Sequence, residues 1–292
     1  MLTRRKNKWR ALTPYIMIAP FLISFILFFA LPSLLAFVLS FFKYKGYGDA
    51  VFIGLKNYVN LLTYEMFWTA VKNTLFYYVL HIAPVIILSF LTAVAMHSKF
   101  LKKWGKFYKP ILFLPQIMPI VAASLVFKIL LATRYGPINE MLGTQIPFLE
   151  STSIMRFSVV LVEIWRGFGW FLVIFAAGLT TVNSDLLEAA KIDGANAVQT
   201  TTRVIIPLMK PVFLFAFIMD SITSFKIYIE PNILLSGSSG LGAPPGGMPM
   251  LNILTQNMSS GSFGMASAAG WVIFVITFIA YLLINFLIKD KE

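Results

Sequence analysis

Apolar runs long enough to cross a bilayer recur along this chain, and they constrain its fold before any motif does. A membrane-spanning helix needs about 20 largely apolar residues, because every backbone N–H and C=O inside hydrocarbon must be paired within the segment. Such runs lie at roughly 15–42, 71–96, 108–131, 157–179, 207–227 and 267–288. Hydrophobic residues make up 58% of the chain and charged residues only 12%, so its 292 residues divide into spans rather than globular domains. The first run, Tyr15 to Phe42, is too long for a signal-peptide core and ends without a small-residue cleavage site; it is read as a retained span. The expectation is an all-α integral membrane protein with six transmembrane helices. A basic N-terminus occupies 1–14, the membrane domain 15–288 and a short C-terminus 289–292.

The formal net charge of +12 invites a nucleic-acid partner, but its distribution points to membrane topology instead. Lys and Arg cluster at Arg4, Arg5, Lys6, Lys8 and Arg10, and again at Lys99, Lys102, Lys103, Lys106 and Lys109. Further basic residues follow at Lys191, Arg203, Lys210, Lys289 and Lys291. With six spans and the N-terminus inside, all of these fall on one side, while Lys43, Lys45, Lys56, Arg134 and Arg156 fall on the other. The excess of positive charge on cytoplasmic loops then places both termini, and the loop around Glu188, in the cytoplasm. The chain has no cysteine, which removes disulfides, thiolate metal sites and cysteine nucleophiles from consideration.

Prolines 20, 32, 84, 110, 115 and 119 sit inside the apolar runs. Each removes a backbone donor and bends its helix, so the freed carbonyls require neighbouring protein or a cavity. Between the last two spans, Ser236 to Gly247 is too rich in Gly and Pro for regular structure and reads foremost as a flexible connector; the alternative is an outer-face element touching a soluble delivery protein.

One loop looks soluble. Asn183-Ser184-Asp185 supplies cap residues, with Asp185 and Glu188 spaced as a capping-box variant. A helix over about Leu186–Asp193 then ends at Gly194, a residue that adopts the left-handed conformation without strain. A second helix, about Asn196–Arg203, leads to Pro207 near the first turn of span five. Taken singly, Glu188 reads equally well as a carboxylate serving its own helix dipole, and the alanines as ordinary small residues.

The joint pattern is more specific. Glu188-Ala-Ala-Lys-Ile-Asp-Gly-Ala195, followed by Val204-Ile-Ile-Pro207, resembles the Glu-Ala-Ala loop of permease subunits of binding-protein-dependent ABC importers, whose usual ending is Ile-x-Leu-Pro. Phe52-Ile-Gly-Leu-Lys-Asn-Tyr58 and Lys72-Asn-Thr-Leu75 look like motifs flanking the start of span two in sugar permeases of the maltose-permease-like type. Gly136-Pro-Ile-Asn139 with Leu142, and Gly264-Met-Ala-Ser-Ala268, are similar to further motifs of that branch. The resemblance extends over nearly the whole chain. It implies the type I (MetI-like) ABC importer permease fold in the bacterial cytoplasmic membrane. It implies a non-catalytic subunit that translocates a carbohydrate, foremost an oligosaccharide, delivered by an extracytoplasmic solute-binding protein. Glu188, Ala189, Ala190, Asp193, Gly194, Ala195 and Pro207 would form the coupling element gripped by a cytoplasmic ATPase dimer, which carries the ATP and magnesium. No cofactor or metal is expected on this chain. A second homologous permease, in a heterodimer, would complete the pathway.

Polar groups inside spans are costly and mark cavities or protein contacts. The candidates for the substrate pathway are Ser124 in span three, Glu163 and Trp165 in span four, and Asp220, Ser221 and Ser224 in span five. Glu163 and Arg166 are one helical turn apart and can pair with each other. Asp220 has no evident local cation, and His81 no evident metal partners. Two other classes compete with the importer reading. An ion-driven secondary transporter favours an internal repeat, which is not evident. An intramembrane enzyme lacks any His-Glu-x-x-His or Gly-x-Ser-x-Gly motif, and no Gly-x-x-x-x-Gly-Lys-Ser/Thr phosphate loop supplies energy from within the chain.

Overall fold

The computed structural model describes residues 8–97, 105–237 and 242–289. The basic residues Arg4, Arg5, Lys6, Lys99, Lys102, Lys103 and Lys291 lie outside the described residues. Two compact units divide the chain, one of 1–63 with 254–272 and the other of 64–253 with 273–292.

In the first unit, α1 (Lys8–Phe25) runs through a single π-helical turn, Ile26–Ala30, into α2 (Leu31–Leu39). The widened turn immediately precedes Pro32, whose missing N–H cannot continue the regular bonding pattern. Leu12–Leu39 is long and apolar enough to span a membrane, and none of it is buried by the rest of the chain. A small antiparallel hairpin follows, β1 (Phe42–Lys43) on β2 (Val51–Phe52), with Phe42 opposite Phe52. Asn57, in α3 (Lys56–Thr63), ties it down by donating to the carbonyls of Ser40 at 2.8 Å and Phe42 at 3.0 Å. Tyr58 meets the Ser40 hydroxyl at 2.7 Å. Gly264 passes so close that any Cβ there would overlap the Phe42 carbonyl. The motifs around Asn57 and Gly264 thus meet at one backbone crossing.

The second unit is built on α4 (Glu65–His97) and α8 (Met155–Leu179), both long and apolar enough to cross a membrane. Between them lie α5 (Gly105–Ile117), α6 (Ile120–Leu130) and the short α7 (Pro137–Leu142). After α8 come α9 (Ser184–Ile192), α10 (Ala197–Thr200), a π-helical turn at Thr201–Ile205, α11 (Ile206–Leu208) and α12 (Lys210–Ser224). Then follow α13 (Ile229–Leu234), α14 (Leu251–Ser259) and α15 (Phe263–Lys289), the last two shared between the units.

Four helices qualify as straight spans among the described residues, and two bent pairs bring the number to six. Where the sequence reading expects continuous helices over 108–131 and 207–227, the chain turns by 92° between α5 and α6 and by 71° at Met209. Pro119 and Pro211 explain the breaks: Pro119 caps α6 from outside it, Pro211 lies in the first turn of α12, and each withholds the N–H that continuity needs.

Phe90 of α4, Phe175 of α8 and Phe213 of α12 meet with centroid separations of 4.8–5.6 Å and form the aromatic centre of this unit's core. Small residues let the backbones approach. A Cβ at Gly169 would overlap the Leu112 carbonyl of α5, and one at Gly178 would lie 2.9 Å from Met209 and Val212.

The segment expected to be a flexible connector is in part a seated strap; Ser238–Leu241 lie outside the described residues. Asn73 of α4 donates to the carbonyls of Pro245 at 2.9 Å and Met248 at 3.0 Å, and Tyr77 donates to that of Gly247 at 2.6 Å. Met250 N–H returns a bond to Thr74 at 2.9 Å, and Met248 and Met250 are buried. Asn232 accepts from Ala243 N–H and exchanges side-chain bonds with Asn252. Composition misleads here because side chains of α4 and α13, not the strap's own periodicity, satisfy its backbone.

Candidate functional site

Two places gather the residues singled out from the sequence. The first is the loop between α8 and α12. Asn183, not Asp185, caps its first helix: the Asn183 side chain accepts from Asp185 N–H at 2.9 Å. The Asp185–Glu188 capping box therefore does not form, and Asp185 instead sits in the first turn, where its charge suits the helix dipole. Gly194 has φ +78°, the left-handed conformation expected of it. Ala195 N–H bonds to Ala190 C=O at 2.9 Å and Gly194 N–H to Lys191 C=O at 3.1 Å, the paired closure of a Schellman motif.

A capping box does occur one helix later. Asn196 accepts from Gln199 N–H while Gln199 accepts from Asn196 N–H, both at 2.9 Å. The spacing Asn-x-x-Gln was visible in the sequence and was the better signal. Pro207 lies inside the run Ala197–Leu208, just after the π-helical turn, rather than in the first turn of α12.

The loop buries Leu187 partly against the core, together with Val182. Glu188, Ala189, Asp193 and Gly194 are exposed, and Ala190 and Ala195 half-buried. Ile192 is 85% exposed and Val198 70%, so the loop holds two aliphatic side chains away from its own protein.

The second place is a cavity of about 600 Å³ among α4, α8, α12 and α13, lined by His81, Glu163, Arg166, Asp220, Ser224 and Glu230, with Trp170 and Tyr228 also in its wall. Arg166 does not pair with Glu163 one turn before it. It reaches Glu230 of α13, Nη1 to Oε1 at 2.6 Å. Asp220, expected to lack a cation, faces His81, Nδ1 to Oδ1 at 3.3 Å, with the Ser224 hydroxyl 3.4 Å from its other oxygen. Both members of each pair are largely buried, so each pair joins two elements where charge is costly to leave alone. Glu163 Oε1, His81 Nε2 and Arg166 Nε are buried and have no hydrogen-bond partner among the described residues.

Three sequence candidates are not part of this wall. Ser221 donates to Phe217 C=O at 2.6 Å and meets the Tyr78 hydroxyl at 2.9 Å. Ser124 bonds back to Ile120 C=O at 2.8 Å, and Trp165 packs edge-on against Phe127 at 5.0 Å. Lys128 is held by the carbonyl and hydroxyl of Ser236 at 2.6 and 2.7 Å. Sequence reasoning missed His81 and Glu230. A lone imidazole within an apolar run was the available signal for the first; Glu230, just beyond a span, gave none.

Comparison with known proteins agrees with this architecture. A family model described as "Binding-protein-dependent transport system inner membrane component" matches residues 85–291. The arabinooligosaccharides transport system permease protein AraP of Halalkalibacterium halodurans is 30% identical over 274 residues, covering 91% of this chain and 84% of that one. AraP of Bacillus subtilis is 28% identical over 96% of this chain and 91% of its own length. The trehalose/maltose permease MalF of Thermococcus litoralis is 26% identical, over 94% and 93%. A crystal structure of a bacterial ABC transporter involved in import of the acidic polysaccharide alginate shares the fold, with a TM-score of 0.82 and 22% identity over 98% of this chain and 100% of that one. The helical, multi-pass architecture is thus the importer permease fold, and the chain belongs to the family of binding-protein-dependent transport system inner membrane components.

Proposed function

We propose that this chain is the membrane-spanning, non-catalytic permease subunit of an ATP-driven importer for a carbohydrate, with an oligosaccharide as the favoured cargo. Relatives named for arabinooligosaccharides, for starch degradation products and for trehalose/maltose support the cargo class. Delivery is by an extracytoplasmic solute-binding protein; a structural relative was crystallised with a pentasaccharide-bound periplasmic protein. A homologous permease partner and a cytoplasmic ATPase dimer complete the assembly, with both termini and the Glu188 loop on the cytoplasmic side.

One observation carries the coupling role. The helix Ser184–Ile192 is fixed at both ends by caps, yet projects Ile192 and Val198 outward from a loop whose Leu187 is anchored in the core. A rigid element with an anchored root and an aliphatic outer face transmits force when a partner closes on it. Glu188, Ala189, Ala190, Asp193, Gly194 and Ala195 form this element, and Pro207 lies near the end of the run Ala197–Leu208 that leads into α12. The cavity bearing Glu163, Asp220 and Ser224 is the proposed stretch of the substrate path; Ser221, Ser124 and Trp165 lie outside its lining.

The test is ATP-dependent sugar uptake by the reconstituted transporter. Glu188→Ala combined with Gly194→Asp abolishes uptake while the chain still inserts. An intact, fully coupled complex carrying both changes refutes the coupling assignment.

A further inference from the structure

A groove of about 710 Å³ opens between the later half of α4 and the run from Ala197 into α12, and it shares no lining residue with the cavity that bears Glu163. The 71° bend between Ala197–Leu208 and α12 leaves a wedge there. Ile86 and Phe90 are buried at its base, while Ile87, Leu91 and Ile206 are exposed in its walls. From Ile86 to Val94, α4 rises about 12 Å, most of the roughly 15 Å that the hydrocarbon of one leaflet occupies.

Polar side chains in this lining are confined to Thr201, Thr202 and Lys210. The two threonine hydroxyls are bonded within their own helix, to the carbonyls of Ala197 and Val198 at 2.8 Å each. Lys210 is half-buried, and neither ion pair among the described residues includes it. No acidic residue lines the groove. The bias of cations toward the cytoplasm accounts for a basic residue at this level, but not for one half-buried at an apolar groove without a counter-charge.

A sugar would find almost nothing here to bond its hydroxyls, so the groove is not a stretch of the cargo path. A span of a homologous permease would suit the apolar walls, but the same bias would bring its cations to the level of Lys210. A hydrocarbon chain suits the walls equally, and a phosphate at its head meets Lys210 with the opposite charge. Basic pockets between membrane helices on the cytoplasmic side take anionic lipid headgroups in this way.

We propose that the groove holds an acyl chain of one anionic phospholipid of the cytoplasmic leaflet, with the lipid phosphate on Lys210. The proposal rests on the cytoplasmic placement of the Glu188 loop proposed above. The lipid fills the angle between Ala197–Leu208 and α12.

The test uses the transporter purified with its partner subunits in nanodiscs of phosphatidylcholine. A trace of phosphatidylglycerol or of phosphatidylcholine, each carrying a diazirine on one chain, is photolysed and the labelled peptides are mapped. The phosphatidylglycerol probe should label stretches 86–94 and 197–217 about fivefold more than the phosphatidylcholine probe, the factor one cation contributes toward an anionic lipid. Lys210→Gln should remove most of that difference and leave phosphatidylcholine labelling unchanged. Should this variant fail to assemble, the wild type decides through salt: raising ionic strength about tenfold should bring the two probes together. Equal labelling by both probes, a difference indifferent to both Lys210→Gln and salt, or displacement of the label by glycerol phosphate, which has no chains, overturns the proposal. So does a photocrosslinker on Leu91→Cys that joins the partner permease while neither lipid labels the groove. Because the chain has no cysteine, Ile192→Cys gives a single thiol for topology. Its labelling in cells by an impermeant maleimide added outside sinks the cytoplasmic placement, and with it the leaflet named here. Its protection alongside equal lipid labelling sinks this inference alone.

Discussion

Arg166 bonds to Glu230, 64 residues further along the chain, rather than to Glu163 one helical turn before it. The pair joins α8 to α13 through charges that are both largely removed from solvent. Replacing Arg166 by Met strands the Glu230 carboxylate and should destabilise the complex by about 3–5 kcal/mol. Arg166→Met with Glu230→Gln should recover much of that loss. Thermal unfolding of the purified complex measures both; equal melting of the single and double variants would show that the pair is not coupled.

Gly194 holds φ +78° with no atom within 4 Å of a Cβ placed on it. The cost of Gly194→Ala is therefore conformational rather than steric, about 1–2 kcal/mol for a left-handed alanine. The Schellman closure should fray, and ATP-coupled uptake should fall several-fold at unchanged chain levels. Unaltered coupling together with unaltered amide protection at Ala195 would count against it.

The Asn196–Gln199 box supports the start of the run that leads through the π-helical turn into α12. Asn196→Ala should cost about 1 kcal/mol and accelerate amide exchange at residues 197–200. Asn196→Ser, which retains a capping oxygen, should restore slow exchange.

At Gly169 the limit is space. A Cβ there collides with the Leu112 backbone, which cannot move as a side-chain end can. Gly169→Ala should destabilise by about 1–3 kcal/mol or more, read as lower melting and lower membrane levels. A variant with wild-type melting would mean that α5 and α8 separate readily.

The spans were legible because bilayer thickness leaves a direct trace in sequence, and the family because the Glu188–Pro207 pattern and the outlying motifs are local runs of residues; the break at Gly194 was legible because glycine is free to take positive φ. The bends near Pro119 and Met209 were signalled by prolines, but their angles come from packing that no local pattern encodes. The pairing in the cavity was hidden for the same reason. Glu163 and Arg166 are neighbours on a helix, and only the placement of α13 supplies the competing carboxylate Glu230. Asp220 found its partner, His81, on another span. Glycine and proline misled over Gly242–Met250, where order comes from Asn73, Thr74 and Tyr77 of α4.

Those three side chains act on neighbouring backbone groups of the strap, so its release is not gradual. Pulling Gly247 from Tyr77 also strains both carbonyls held by Asn73 and the Met250 amide bound to Thr74. Such clustering favours two positions, seated and free, with little population between them. A tilt of α4 large enough to break one bond should break the set, making the strap a latch that trips at a threshold.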